Sequence, residues 1–198
     1  MHDWLENIVN KEALQENLTF ASLFIAVYEH VVDYAIDHVK SLLCDLSIRD
    51  GKEHWEETVC YKKEIRNRIV DEKGNKDITK ASFLWLVDNN AISSIDYERF
   101  LEIKAVRNKY AHELMMVIFE GVSDAEIKLL IEMCMLLQKV GRWFYVNVDA
   151  PIMGYELSEN EESVDILPAG SVILQIMLDI LYRGKSEEYK ALLAQLEK

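Results

Sequence analysis

Two prolines, Pro151 and Pro168, are all that this 198-residue chain contains. With so few forced breaks, long helices are favoured over a strand-and-turn architecture. Cysteine is almost as scarce. Cys44, Cys60 and Cys134 are far apart, odd in number and without CxxC spacing, which argues against a disulfide framework or a zinc site and reads as reduced thiols in a cytoplasmic protein. Basic residues are outnumbered: 22 lysines and arginines face 35 aspartates and glutamates, for a formal net charge of −13. That excludes a protein that coats nucleic acid through a broad basic face, because such binding rests on phosphate neutralisation. A local grip on RNA in a cleft is compatible with it.

Other absences narrow the chemistry. The chain has no Gly-rich phosphate loop, no GxSxG elbow and no HExxH. His30 and His38 are eight residues apart, not at the i, i+4 spacing that sets two ligands side by side, so no metal and no cofactor is expected. Met1-His2-Asp3-Trp4-Leu5-Glu6 lacks a basic region followed by an apolar run, so no secretion signal is expected. The most apolar stretch, Leu18 to Leu46, is interrupted by Glu29, His30, Asp33, Asp37, His38 and Lys40. So many ionisable groups are costly in lipid; the stretch reads as a buried helix of a soluble protein with no membrane partner.

What is present is hydrophobic periodicity. Half of the residues are apolar, enough for one domain with a sizeable core. Residues 3–16 read as a short opening helix with Trp4, Leu5, Ile8 and Val9 on one side, and Asn17 or Thr19 as the cap of a second helix over 19–46. That helix carries Phe20, Leu23, Phe24, Val27, Val31, Ala35 and Val39 at helical spacing. Asp50-Gly51 marks a turn. Residues 55–70 form a mixed segment with Lys62, Lys63, Arg66 and Arg68, either a basic edge that steers a polyanion or a solvated face with scattered salt bridges. Ala81 to Val87 reads as a short buried helix, and Ser93 or Ser94 caps the next, over 95–114. Ser123-Asp124-Ala125-Glu126 is a capping-box sequence opening a long helix over 124–147. Met115-Met116, Met133-Cys134-Met135 and Trp143-Phe144-Tyr145 are adaptable core or dimer packing. The expected class is all-α, with a bundle over 1–147, an acidic loop over 148–167 and a C-terminal helical pair over 168–198.

The helix over 95–114 concentrates the chemistry. Arg107-Asn108-Lys109-Tyr110-Ala111-His112 places arginine, asparagine and histidine within six residues. Asn108 and His112 are i, i+4 and share a face; Arg107 lies about 100° round the cylinder, within reach through its long side chain. Arginine offers a permanent cation whose planar fork fits phosphate oxygens. Histidine is suited to moving protons near neutral pH. Asparagine can orient the imidazole or bind phosphate directly. Together they suit attack of an RNA 2′-hydroxyl on its own phosphate, whereas the plainer reading is an arginine and a histidine that merely share a helix.

These six residues resemble the R-x(4–6)-H motif of the HEPN (higher eukaryotes and prokaryotes nucleotide-binding) superfamily, in its shortest spacing and with its typical asparagine after the arginine. At the level of helix pattern the resemblance covers roughly residues 18–147. It implies an up-and-down α-helical bundle of HEPN type with additional C-terminal helices, pairing as a homodimer whose two motifs face each other across one cleft. It further implies metal-independent RNA cleavage in the cytoplasm, in a toxin–antitoxin or phage-defence system, with an antitoxin or other protein as partner. Arg107 would stabilise the phosphate, His112 would act as general acid or base, and Asn108 would orient either. Glu29, or Asp33 one turn later, would be the acidic residue that the first core helix contributes, and Lys104, Lys109 and Tyr110 would contact RNA. Tyr110 points away from the Asn108/His112 line, which favours packing over stacking on a base. The runner-up reading is an inactive HEPN module that binds RNA, a nucleotide or a protein partner.

Overall fold

The structure is a computed structural model that describes residues 9–155 together with Val172 and Asp179. Among the described residues, the first helix with defined bounds, α1, spans Lys11–Leu43. Its start is set by Asn10, whose side-chain oxygen accepts from the N–H groups of Glu12 and Ala13 at 2.9 and 3.2 Å, satisfying donors that the first turn leaves free. The expected break at Asn17 or Thr19 is therefore absent: Asn17 is buried within the helix. Of the expected opening helix over 3–16, residues 1–8 lie outside the described residues. Phe20, Phe24, Val27, Val31, Ala35 and Val39 form one buried stripe along α1, and the helix contacts five others among the described residues. By length and composition α1 could cross a bilayer, yet half of its most apolar window is buried inside the fold.

The helix stops at Leu43, three residues before the expected end, because the chain turns into an antiparallel hairpin. Strand β1 (Cys44–Arg49) pairs with β2 (Lys52–Glu57), with Leu46 opposite Trp55 and Arg49 opposite Lys52. Asp50 and Gly51 both have positive φ, 53° and 72°, as a two-residue type I′ turn requires. The Thr58 hydroxyl donates to the Leu43 carbonyl at 2.5 Å and accepts from the Tyr61 N–H at 3.1 Å, so one side chain ties the hairpin's exit to α1 and caps the next element. That element, α2 (Val59–Tyr61), runs on through a π-helical turn at Lys62–Arg66 and buries Tyr61 and Ile65. Three of the four cations of this stretch are paired, Arg66 with Glu57, Arg68 with Asp88 and Lys63 with Glu64, while Lys62 is exposed with no ion pair among the described residues.

Helix α3 (Ile78–Asp88) is capped by Asp77, and α4 (Ser94–His112) opens with a full capping box between Ser93 and Asp96. Short α5 (Leu114–Glu120) follows, then α6 (Asp124–Phe144), opened by the capping box of Ser123 and Glu126. A π-helical turn at Tyr145–Asp149 leads into α7 (Ala150–Ile152). Helices α1, α4 and α6 contact one another pairwise, and α3 lies against α1 and α4. The chain is mostly helical, as expected, with one small sheet among the described residues that the helical reading of 42–46 left out. The described part of the acidic segment ends at Tyr155. The rest of it and the expected C-terminal helical pair lie outside the described residues, apart from Val172 and Asp179, which are helical.

Candidate active site

Four residues of α4 fall on its inward line: Phe100, Ile103, Arg107 and Tyr110 are i, i+3, i+7 and i+10. Three of them are almost fully buried. Tyr110 anchors the last turn, its ring edge-on to Phe24 at 5.2 Å and to Phe20 at 6.1 Å across the contact with α1. With 1% of its surface exposed, its ring has no face on which a base could stack. The role in RNA contact expected for Tyr110 is therefore replaced by packing.

Arg107 occupies the same line but carries a charge, and a partly buried charge needs a partner. Glu29 of α1, 78 residues away in sequence, supplies it. One oxygen, Oε1, accepts from Nε at 2.9 Å and also from Nη2. The guanidinium carbon stands 5.5 Å from the centroid of the Tyr28 ring, and Nη1 donates to the Asn108 side-chain oxygen at 3.3 Å. Glu29, Arg107 and Asn108 are thus brought together by direct hydrogen bonds. Asp33, one turn on, is exposed and has no hydrogen bond or ion pair among the described residues.

Asn108 and His112 lie on the outward face, both exposed. His112 is the last residue of α4; the chain breaks at Glu113 before α5 begins. Its imidazole has no hydrogen bond or ion pair among the described residues, and the exposed side chains of Leu114, Met115 and Met116 follow it. The lysines of the motif region are already occupied. Lys104 donates to Asp77 at 3.1 Å. Lys109 donates to Glu120 at 2.9 Å and stands 3.6 Å from Glu126. The bond to Glu120, with both carboxylates close by, raises the Lys109 pKa and keeps it charged.

Sequence alone does not single out the tyrosine beneath Arg107 as a site residue. Burial pushes the Tyr28 phenol up to about 12, with Glu29 and Asp77 adding to the rise and Arg107 opposing it. Tyr28 therefore stays neutral near pH 7 and offers a ring, not a base. Its one sequence signal is position: it precedes Glu29 and lies on the buried stripe of α1. Among the described residues no group of three or more His, Cys, Asp or Glu side chains could hold a metal ion. His38 is turned to its own helix, its Nδ1 2.8 Å from the Tyr34 carbonyl oxygen. All three cysteines are free thiols.

What the arrangement offers chemically is a fixed cation, an exposed amide beside it and an exposed imidazole one turn further. Set against the descriptions of protein families, against curated proteins and against solved structures, the chain matches none.

Proposed function

We propose that the chain is a metal-independent endoribonuclease of HEPN type, acting in a toxin–antitoxin or phage-defence setting at a site composed from two copies of the chain. One observation carries the reading. Arg107 of the six-residue motif is held by an acid from α1, Glu29, while Asn108 and His112 are left open to solvent. Docking of α4 uses Arg107 and Tyr110 and makes no use of the Asn108 N–H donors or of the His112 imidazole, which stand exposed at i, i+4 beside an ordered arginine.

In this reading a base removes the proton of an RNA 2′-hydroxyl, and its oxygen attacks the adjacent phosphorus. The bond to the 5′-oxygen breaks, and that oxygen takes up a proton as it leaves. His112 supplies the imidazole for one transfer, and the second copy's imidazole supplies the other. Arg107 stabilises the charge that builds on the phosphate oxygens, and Asn108 orients the phosphate or the imidazole. The exposed apolar surface at Leu114, Met115 and Met116 adjoins His112 and suits burial between two copies.

A second reading has its own support. Because Lys104 and Lys109 are both paired with carboxylates, little uncompensated positive charge remains around the motif to hold RNA. That favours a HEPN module that binds a nucleotide, an RNA end or a protein without cutting. Incubating the purified full chain with total RNA in EDTA, beside Arg107→Ala and His112→Ala, decides between them. The nuclease reading expects cleavage that survives EDTA and disappears in both variants. RNA that stays intact with wild type overturns it in favour of the binding module.

A further inference from the structure

Arg107 is constrained on two sides, and the second side comes from the core. Tyr28 is 6% exposed. Its ring lies parallel to that of Phe100, at 6.1 Å and 5°, and Phe100 is stacked in turn on Phe83 at 3.6 Å and 5°. The three rings come from α1, α4 and α3, so the column that ends under Arg107 is fixed by three helices at once. A guanidinium 5.5 Å from a ring centroid is attracted by the negative face of the ring, and more strongly where water is excluded. The guanidinium has two usable hydrogen-bonding edges. Glu29 accepts from Nε and Nη2, the side edge, and Asn108 accepts from Nη1 at the other end.

We propose that Tyr28 is a positioning residue for Arg107: its ring carries one face of the guanidinium while Glu29 takes the side edge, so that an incoming phosphate meets only the outer Nη end beside the Asn108 amide. The inference rests on the reading of Arg107 as a phosphate-binding residue, and it specifies how that residue approaches its ligand. Phosphate would be held end-on by the two Nη groups and by the Asn108 N–H donors, with Glu29 kept in place. An arginine free of Tyr28 could rotate away from Glu29 and offer its side edge instead.

The test uses the full chain, with nitrogen NMR on the Arg107 Nε–H, assigned by its loss in Arg107→Lys. Tyr28→Phe should keep the slow exchange of this proton with water, because the ring face remains. A trifluorinated phenylalanine at position 28 has nearly the same shape but a face stripped of negative charge. It should speed exchange by about threefold to tenfold. Equal exchange with the plain and the fluorinated ring overturns the proposal and leaves Tyr28 as packing alone. Adding inorganic phosphate should shift the Asn108 side-chain amide while the Nε–H stays protected. Loss of that protection, or an Asn108 amide that does not respond, overturns the end-on geometry. If RNA is cleaved, the fluorinated ring should lower kcat by a similar factor and leave KM unchanged. Failure of the nuclease reading would appear separately, as intact RNA with the exchange difference still present.

Discussion

The two ends of α4 handle their polar side chains in opposite ways. At the N-terminal end every charge with a role in docking is matched. Asp96 closes the capping box with Ser93 and also accepts from Lys139 at 2.6 Å. Arg99 reaches Glu132 at 2.8 Å and pairs with Glu102, and Lys104 reaches Asp77. These contacts tie α4 to α6 and to the start of α3. At the C-terminal end the inward residues are just as fixed, Tyr110 by the aromatic rings of α1 and Arg107 by Glu29. The outward ones, Asn108 and His112, are exposed. The first part of the helix is thus occupied with holding the bundle together, and the last turn presents groups that the fold does not consume.

That contrast can be broken from either end. Phe100→Ala removes the middle ring of the column and should destabilise the fold by about 3–5 kcal/mol in denaturant unfolding. A loss below about 1 kcal/mol would mean that the column is not a packing unit. His112→Ala should do the reverse, lowering RNA cleavage by about 100-fold or more and leaving the thermal midpoint unchanged. A drop in midpoint would place the imidazole in the fold. Ser93→Ala removes the cap at the N-terminal end and should cost about 1 kcal/mol without altering cleavage.

The smallest effect is a pH dependence. Burial pushes the Asp96 carboxyl up, but Lys139 and the Ser93 N–H and hydroxyl outweigh it and hold the carboxyl below its ordinary value. A folded pKa below the unfolded one stabilises the fold fully above the unfolded value, about pH 4. The stabilisation is lost as the pH falls through the depressed folded value. Lys139→Ala should therefore flatten the acid limb of the stability profile below about pH 4 and change little at pH 7. An unchanged acid limb would remove Asp96 from the docking set.

Local signals were readable because they act within a few residues. Ser93 and Ser123 were visible as caps, Asp50-Gly51 as a turn, and the helical spacing of Phe20 through Val39 as a core stripe. The hairpin was hidden because a helical reading carried Leu42, Leu43 and Leu46 across the end of α1. The Asp-Gly pair, flanked by the alternation of Leu46, Ile48 and Trp55, was nevertheless its signature. Asn10 was missed as a cap because Asn17 and Thr19 stand nearer the apolar run. At the candidate site, Arg107, Asn108 and His112 were legible as spacing on one helix. Glu29 entered through the family resemblance. Its bond to Arg107 and the Tyr28 ring depend on how α1 lies across α4, which no local pattern encodes. The carboxylates that neutralise Lys104 and Lys109 were illegible for the same reason.

The most direct test of the central claim is the chemistry of the RNA ends produced in EDTA by the wild-type chain and by His112→Ala. Attack by the 2′-hydroxyl predicts fragments with a cyclic phosphate at one end and a 5′-hydroxyl at the other, made by wild type and absent with the variant. Intact RNA, or fragments with a 5′-phosphate and a 3′-hydroxyl, would contradict the account.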